Sequence, residues 1–530
     1  MSFEVRDRDV LGRIGKLVTK SGTITTPALM PVVNPVKQAI PPQRMKDEFG
    51  CEIIITNSYI IKKNFGDLTD IDVHRLIDYD GVITTDSGAY QILVYGGVQT
   101  NPEDIIRFQQ SIDSDIAVIL DIPTGWDVPR SKVEYTVEET LKRAKAAVPL
   151  IEGDDTLWVG PVQGGAHLDL VERSARAVGA LPYQVYALGS PTEVMENYKF
   201  TVLADMIMAA KTNLPPDRPL HLFGAGHPMM FSLAVALGCD LFDSAAYALF
   251  AKDERYLTNR GTRRFETLNY LPCSCPVCRK YDVSDLKGML KGERQRLIAE
   301  HNLHVSMAEV EIIKQAISEG TLWELMEARS RGHPALASAV KHLLKYRDKL
   351  ESGSPMYKGR GMFIYGSPSL ARPEISRHIN RMKTNYTKRG ETLLLLKAPD
   401  RKPYSKSDDY MRLLGELGQR VSEIEICFYA QPFGVIPVDL AETYPLSQYD
   451  IVVPTDVEIE RFTVDAIVDF IQHQRFKKVV IHLGDTSEDV RTINRLSDSV
   501  KPDQLRIHSV CNPWSQQSLS ALTSLLDDIK

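Results

Sequence analysis

The sequence has 530 residues, of which 43% are hydrophobic and 25% are charged. This length exceeds what one hydrophobic core usually serves, so the composition indicates a soluble globular protein of two or three domains. The formal net charge of −6 argues against a protein that coats nucleic acid by bulk charge, but it leaves room for a local basic surface.

Neither a membrane span nor a signal peptide is expected. No apolar run approaches the roughly 20 residues that cross a bilayer, and the first residues, MSFEVRDRDVLGRIG, have no apolar stretch behind their charges. Three of the 7 cysteines lie close together and the others are scattered, which is typical of a reducing compartment with a bound metal rather than of a disulfide framework. We therefore expect a cytoplasmic protein.

The chain begins with alternating apolar and polar residues at positions 3–24, which predicts a hairpin that closes one end of a larger structure. Short apolar runs then recur, as parallel strands buried on both faces require. The predicted strands are Ala28–Val33, Glu52–Asn57, Val82–Asp86, Ile116–Asp121, Leu157–Gln163, Val185–Gly189, Leu220–Phe223 and Leu241–Asp243.

Helix-like segments separate these strands. Two of them have a Pro near the first turn with a capping residue before it, at Asn101-Pro102 and Ser190-Pro191. Strands that alternate with helices in this way predict an α/β protein, a (β/α)8 TIM barrel. A doubly wound sheet is the alternative, but no G-x-G-x-x-G follows the first strand. The predicted helices are Pro42–Phe49, Asp70–Asp78, Pro102–Ser111, Val137–Leu150, Leu168–Gly179, Thr192–Thr212 and Pro228–Leu237.

Polar side chains stand where the predicted strands end. Asp86, Asp121 and Asp243 follow three strands, and Gln163 follows another. In a barrel these ends meet at one mouth, where side chains from several strands converge. Each Asp alone could cap the next helix, but three around one rim favour an active site. Glycines at the strand ends would let backbone amides approach a flat ligand.

A cluster of three cysteines follows the eighth strand. Cys273, Cys275 and Cys278 form a C-x-C-x-x-C motif, and a His lies downstream on a predicted helix. Thiolate and imidazole ligands suit a closed tetrahedral zinc site. Basic residues are concentrated on both sides of this cysteine cluster, which favours docking of a polyanion there over a merely solvated surface. The basic clusters fall at Lys252–Arg264, Arg279–Arg296, Lys341–Lys349 and Arg377–Lys402.

Beyond the cysteine cluster, amphipathic helices are predicted at Ser306–Glu319, Thr321–Arg329 and Pro334–Leu350, followed by a Gly- and Ser-rich linker. From Met362 the strand and helix alternation resumes, without a metal motif. We therefore expect a catalytic domain at residues 1–352, with a zinc-binding subdomain at about 270–305, and an α/β accessory region at residues 353–530.

Several motifs in order resemble the tRNA-guanine transglycosylases, and most closely the archaeal 7-cyano-7-deazaguanine tRNA-ribosyltransferases of archaeosine biosynthesis. They are TTDSGAYQ, the Asp-Ile-Pro strand end, VQGG, ALGSPTE, HLFGAGHP, GCDLFDSA and the C-x-C-x-x-C cluster with its downstream His-Asn-Leu. The resemblance covers residues 1 to about 350. The archaeal pattern usually ends in a PUA domain that grips tRNA, and none is recognisable here, so that module is either a separate protein or dispensable.

This resemblance implies roles for the rim residues. Asp243 matches the nucleophile that forms a covalent ribosyl ester, and Asp86 the general acid and base. Asp121, Gln163, Ser87 and the backbone at Leu188 and Gly189 would bind the base, and Tyr90 would stack on it. The implied zinc ligands are Cys273, Cys275, Cys278 and His301, with His304 as a competitor for the fourth position.

The partners implied are guanine, 7-cyano-7-deazaguanine and a tRNA whose target nucleotide is flipped out of its fold, with position 15 in the D-loop as the expected site. The family also implies a homodimer. Phosphates would be held by Lys252, Arg255, Arg260, Arg263 and Arg264. Two alternatives are an archaeosine synthase-like paralogue, which acts on the nitrile of tRNA already modified, and a non-catalytic tRNA-binding subunit. The presence of Asp86, Asp243 and the zinc ligands favours the transglycosylase.

Overall fold

The computed structural model describes residues 2–66, 72–89 and 101–527. They form two compact units, Met1–His342 and Leu343–Lys530. The division falls before the helix Arg347–Gly353, which contacts the helix Pro373–Thr384 of the second unit. The linker composition predicted a boundary between residues 352 and 353. That position lies at the end of the helix Arg347–Gly353, ten residues after the division between the units. No helix in the described ranges is long and apolar enough to span a membrane.

The first unit is built on an eight-stranded parallel sheet in the order β4-β11-β10-β9-β8-β7-β6-β5. A parallel bridge between Val32 and Ile55 joins the two ends of this order, so the sheet closes into the predicted barrel. The strands are β4 (Ala28–Pro31), β5 (Ile53–Asn57), β6 (Val82–Asp86), β7 (Ile116–Val118), β8 (Leu157–Val162), β9 (Val185–Leu188), β10 (Leu220–Leu222) and β11 (Leu241–Ser244).

An antiparallel sheet lies at the amino-terminal end of the barrel. It consists of β1 (Phe3–Asp9), β2 (Gly12–Val18) and β3 (Thr23–Thr26), one strand more than the predicted hairpin. Phe3, Leu17 and Ile24 pack against the apolar interior of the barrel. Arg13 donates to Asp240, just before β11, with an Nε–Oδ1 distance of 2.9 Å. This buried ion pair ties the sheet to the barrel end opposite the carboxylates, so the other end is left for chemistry.

Helices alternate with the barrel strands, as predicted. The cap at Asn101 is confirmed, since its Oδ1 accepts from Glu103 N at 3.2 Å. The predicted helix at residues 192–212 is broken because Tyr198 adopts a φ of 54°, which ends the first part. The helices are Pro42–Phe49, Ser58–Phe65, Val73–Ile77, Pro102–Ser111, Arg130–Ile151, Leu168–Gly179, Thr192–Glu196, Phe200–Lys211, Phe231–Ala236 and Ala246–Lys252.

The cysteine-rich region follows the last barrel helix. It begins with an antiparallel pair, β12 (Arg255–Thr258) and β13 (Gly261–Arg264). A core formed by Tyr256, Phe265 and Leu297 with other apolar side chains packs the region together. One continuous helix, Lys291–Glu319, contains both the predicted helix that carries the downstream His and the segment predicted from Ser306, and its residues Leu297, Ile298 and Leu303 are buried in this core. The helices here are Pro276–Lys280, Val283–Gly288, Lys291–Glu319, Leu322–Ser330 and Pro334–His342.

The second unit is the predicted α/β region. Its main sheet has the order β17-β16-β15-β19-β20, in which only β17 is antiparallel to its neighbour, and β14 pairs with β18. The strands are β14 (Met362–Ile364), β15 (Thr392–Lys397), β16 (Ile424–Ala430), β17 (Gly434–Pro437), β18 (Tyr449–Ile451), β19 (Lys478–Leu483) and β20 (Leu505–Ser509). The helices are Arg347–Gly353, Pro373–Thr384, Asp408–Leu417, Val457–Gln474, Ser487–Ser499 and Gln516–Asp527.

Candidate active site and metal centre

The three predicted carboxylates meet at the carboxyl-terminal end of the barrel. Asp86 ends β6, Asp243 lies in β11, and Asp121 follows β7. Burial, together with the negative charges of Asp121 and Asp243, raises the pKa of Asp86 to about 7. Such an effect requires the three groups to be neighbours in a poorly solvated mouth. The mouth therefore has the paired, unlike carboxylates that acid–base chemistry needs.

Asp86 is fixed by the last residue of β5 and by the loop that follows β6. Its Oδ2 accepts hydrogen bonds from Asn57 Nδ2 at 2.8 Å and from the backbone N–H of Gly88 at 3.2 Å. Asn57 also caps the helix Ser58–Phe65, since its Oδ1 accepts from Ile60 N. Gly88 has a φ of 89°, and a Cβ there would lie 2.5 Å from Tyr59. A glycine is therefore required for the loop to turn its amide toward Asp86.

Asp243 is held through one oxygen. Its Oδ1 accepts hydrogen bonds from His221 Nε2 and from the backbone N–H of Gly224, both at 2.8 Å. His221 is buried, and its ring packs edge-on against Phe223. Within the described part of the chain, Oδ2 has no hydrogen-bond donor. Asp243 thus presents one oxygen that is anchored and one that is available.

A hydrogen-bonded network connects Asp121 with Gln163. Gln163 Nε2 donates to Asp121 Oδ2 at 2.6 Å, while its Oε1 accepts from Ser190 Oγ at 3.0 Å and from Thr124 N at 3.3 Å. The occupied Oε1 fixes the amide, so its second N–H remains as a donor. Burial raises the pKa of Asp121 to about 6, although the hydrogen bond from Gln163 opposes this.

The backbone at Leu188 and Gly189 lies beside this network. Gly189 N–H donates to Val162 O at 2.9 Å, and Leu188 O accepts from Phe223 N at 3.3 Å, so both groups take part in the barrel ladder. A Cβ at Gly189 would lie 2.2 Å from Gln163 Nε2. The glycine is needed because the amide of Gln163 lies across its backbone.

Ser87 and Tyr90 were the remaining predicted base contacts. The buried Ser87 Oγ has no hydrogen-bond partner among the described residues, as expected for a group that serves a ligand. Tyr90 lies outside the described residues.

The predicted metal ligands lie together. Ligand atoms of Cys273, Cys275, Cys278 and His301 all fall within 4.8 Å of one another, and His301 Nδ1 is 3.4 Å from the Sγ atoms of both Cys275 and Cys278. Metal–sulfur bonds of about 2.3 Å in a tetrahedron produce spacings close to these. The group can therefore hold one metal ion. His304 stacks on Phe49 instead, with ring centroids 4.2 Å apart.

Neighbouring residues orient His301. Its Nε2 donates to Leu257 O at 2.9 Å, which leaves the lone pair on Nδ1, the atom that faces the thiols. Tyr256 stacks on the imidazole with centroids 3.6 Å apart, and its hydroxyl lies 3.2 Å from Cys278 Sγ. The adjacent Asn302 ties β12 to the long helix by accepting from Leu257 N at 2.8 Å.

The predicted phosphate-binding residues lie on and beside the β12–β13 pair. Register places Arg255 opposite Arg264. Arg255 lies over the ring of Phe250 at 3.9 Å and donates to Asp253. Arg260, Arg263 and Arg264 are exposed, as is Lys252 at the end of the preceding helix. This exposed basic surface adjoins the metal-binding region.

Three residues at the mouth were missed from the sequence: Asn57, His221 and Ser190. Asn57 ends a predicted strand and could have been found by its position. The role of His221 could not be predicted, because a single His within an apolar strand does not indicate which group it contacts. Ser190 was interpreted as a helix cap, which is wrong, since the helix Thr192–Glu196 has no side-chain cap and the Ser190 hydroxyl instead bonds Gln163.

Comparisons with known proteins agree with this architecture. Residues 8–335 match the family described as queuine tRNA-ribosyltransferase, and residues 375–526 match a domain family of unknown function. A tRNA-guanine(15) transglycosylase of Aeropyrum pernix is 45% identical over 84% of this chain and 87% of its own length. Proteins of the same name are 44% identical in Pyrobaculum aerophilum, over 84% and 90%, and 43% identical in Methanocaldococcus jannaschii, over 89% and 72%.

Proposed function

This chain belongs to the queuine tRNA-ribosyltransferase family, and we propose that it replaces guanine at position 15 of tRNA by 7-cyano-7-deazaguanine. The position comes from the names of the archaeal relatives. The incoming base comes from the resemblance of the motifs to enzymes of archaeosine biosynthesis. The observation that carries the mechanism is the pairing at one barrel mouth of two carboxylates. Asp243 has one oxygen without a donor among the described residues, and the pKa of Asp86 is raised to about 7.

Asp243 is proposed as the nucleophile. Its Oδ2 bonds to C1′ of the ribose as the bond from C1′ to N9 of guanine breaks, and the electron pair of that bond leaves with the base. The resulting ester keeps the tRNA attached while the bases exchange. A carboxylate can do this because cleavage of the glycosidic bond places positive charge on the ribose, as in retaining glycosidases.

Asp86 is proposed to carry the proton. With its pKa raised to about 7, a substantial fraction is protonated near neutral pH and can protonate the departing guanine. The carboxylate that remains accepts the N9 proton of the incoming 7-deazaguanine as N9 attacks C1′. The enzyme then returns to its starting state with no net change in protons.

The base would be recognised by its edge. Asp121 accepts from the N1–H and exocyclic amine of a guanine-type base, and the remaining N–H of Gln163 donates to its O6. Both side chains are buried and connected at 2.6 Å, which supports a preformed pocket. The Ser87 hydroxyl, the backbone at Leu188 and Gly189, and the ring of Tyr90 are proposed as further contacts to the base.

The metal is proposed to be a structural zinc. Cys273, Cys275, Cys278 and His301 fit it in type and spacing, and four protein ligands leave no position for a reacting water. Bound zinc would stabilise the region that carries β12 and β13. The exposed basic residues there, Lys252, Arg260, Arg263 and Arg264 together with Arg255, are proposed to hold tRNA phosphates.

A paralogue that acts on the nitrile of modified tRNA is the second candidate. It requires neither a ribose nucleophile nor a proton carrier beside it. The joint arrangement of Asp243, Asp86 and the base-binding amide of Gln163 favours base exchange.

A covalent adduct tests this proposal. Wild-type protein and guanine-bearing tRNA should form a denaturation-resistant adduct, visible as a mass shift, and should place labelled base at position 15 only. Asp243→Asn should form no adduct and lose at least about 1,000-fold in exchange rate. Asp217→Asn, at an exposed carboxylate in the loop before β10, is the matched control. Failure of wild type to form adduct or to exchange labelled guanine would reject the function.

A further inference from the structure

One buried histidine is directed at the proposed nucleophile from within the barrel. His221 is 1% exposed and lies in β10, where its register partner is Leu241 of β11. Leu241 packs in the barrel interior, and Asp243 is two residues further along the same strand, so His221 lies one layer below the mouth. From there its Nε2 reaches Asp243 Oδ1 at 2.8 Å.

Two donors therefore converge on a single carboxylate oxygen. The second is the backbone N–H of Gly224, also 2.8 Å from Oδ1. Because an ionised carboxylate only accepts hydrogen bonds, Nε2 of His221 must carry a hydrogen. The structure leaves Oδ2 without a donor among the described residues, so the two oxygens of Asp243 are not equivalent.

We propose that His221 is a positioning residue of the exchange reaction: it holds Oδ1 of Asp243 so that Oδ2 attacks the ribose, and it stabilises the carboxylate when the ester breaks. This inference rests on the proposed function. In the first half-reaction, the Oδ2 electron pair forms the bond to C1′, guanine takes the pair of the N9 bond and a proton from Asp86, and Oδ1 becomes an ester carbonyl oxygen.

The second half-reaction reverses these changes. N9 of the incoming base bonds to C1′, its proton passes to Asp86, and the C1′–Oδ2 pair returns to Asp243 as a carboxylate. A hydrogen bond to a carboxylate is stronger than one to an ester carbonyl, because the acceptor is charged. His221 therefore favours the free carboxylate over the ester and accelerates the second half-reaction.

This asymmetry distinguishes positioning from simple packing. If His221 only filled space, its loss would disturb the mouth, and the adduct and turnover would fall together. If it stabilises the carboxylate, its removal shifts the balance toward the ester. Turnover then falls while the fraction of enzyme held as adduct rises.

The test compares His221→Phe and His221→Leu, which remove the donor, with His221→Gln, which retains an N–H donor. Thr84→Val is the matched control, because Thr84 is equally buried in β6 and its Oγ1 donates to Met30 Sδ at 3.3 Å. For each protein, the steady-state adduct fraction and kcat are measured with guanine-bearing tRNA and labelled base. Thermal unfolding and zinc content identify which apolar variant is folded, and that variant is used.

We expect the apolar variant to lose roughly 10- to 100-fold in kcat and to show a larger adduct fraction than wild type. His221→Gln should recover part of both, and Thr84→Val should match wild type. Parallel loss of adduct and turnover in the folded apolar variant, or no recovery in His221→Gln, would overturn the inference. Absence of adduct in wild type would instead reject the proposed function.

Discussion

The environment that suits Asp86 to its proposed role as an acid also lowers the stability of the folded protein. It is placed among two other carboxylates and withdrawn from water, and both factors raise its pKa to about 7. A surface Asp would be ionised and useless as an acid at neutral pH. The same environment destabilises the folded protein whenever Asp86 is charged. The hydrogen bonds from Asn57 and Gly88 offset only part of this cost.

Asp86→Asn should therefore stabilise the protein in a pH-dependent way. Between about pH 4 and 7 the folded state holds a proton that the unfolded state has lost, so the free energy of unfolding of wild type falls as pH rises. A shift from 3.8 to about 7 corresponds to at most about 4 kcal/mol. Thermal melts should show the variant more stable than wild type at pH 8, with the difference vanishing near pH 4. An equal difference at both pH values would contradict this pKa.

Ser190 is a second residue whose effect on the site is exerted through a neighbouring side chain, that of Gln163. Its hydroxyl donates to Gln163 Oε1 and accepts from Thr124 N at 2.8 Å, so it fixes the amide that is proposed to contact the base. Ser190→Ala removes both of these neutral hydrogen bonds, and the one that fixes the Gln163 amide is typically worth about 1 kcal/mol. We expect about a fivefold higher KM for the incoming base with little change in kcat, measured by exchange of labelled base. Ser111→Ala, at the end of a barrel helix, should leave KM unchanged.

At the scale of elements, the long helix Lys291–Glu319 organises the metal-binding region. It presents His301 to the three thiols, while Asn302 bonds the backbone of β12 and His304 turns away to Phe49. Residues three apart on a helix are neighbours along its surface. His301 and His304 nevertheless make different contacts, because β12 covers His301 and the helix Pro42–Phe49 covers His304.

The two histidines give a matched pair for metal analysis. His301→Ala should lose bound zinc and lower the melting temperature, because one of four ligands is removed. His304→Ala should keep one zinc per chain, since only its stack on Phe49 is lost. Elemental analysis of both purified variants decides the matter. Zinc loss in His304→Ala with retention in His301→Ala would reverse the assignment.

At the scale of the whole molecule, the chain builds two units with separate cores. In the second unit two apolar clusters pack on the faces of one sheet, with Leu394 and Phe428 in one and Leu395 and Cys427 in the other. Adjacent residues of β15 and β16 alternate between the faces, as strands covered on both sides require. All the residues of the two clusters lie between Met362 and Leu526.

Residues 343–530 should therefore fold alone. The fragment contains both clusters and the whole sheet, so it retains the apolar burial that stabilises the unit. A single cooperative thermal transition by circular dichroism is expected, without any requirement for zinc. A fragment that shows no cooperative transition would indicate that its stability depends on residues 1–342.

The order of the elements and the gathering of carboxylates at the barrel mouth were accessible from the sequence. Apolar runs that alternate with helices favour a parallel sheet buried on both faces, and the absence of G-x-G-x-x-G after the first strand favours a barrel over a doubly wound sheet. The barrel then brings Asp86, Asp121 and Asp243 to one end, whatever the details of the loops. Local spacing indicated the three thiolate ligands, since Cys273, Cys275 and Cys278 lie within six residues, whereas the choice of His301 over His304 came from the resemblance to the family's His-Asn-Leu motif.

The tertiary structure alone decided which atoms touch. That His221 anchors Asp243, that Ser190 fixes Gln163 rather than capping a helix, and that His304 stacks on Phe49 depend on contacts between residues distant in the chain. Local patterns carry no record of such contacts, because they report burial and periodicity but not the direction of a side chain. The sequence determined which groups gather at the mouth, and packing determined how each one is held.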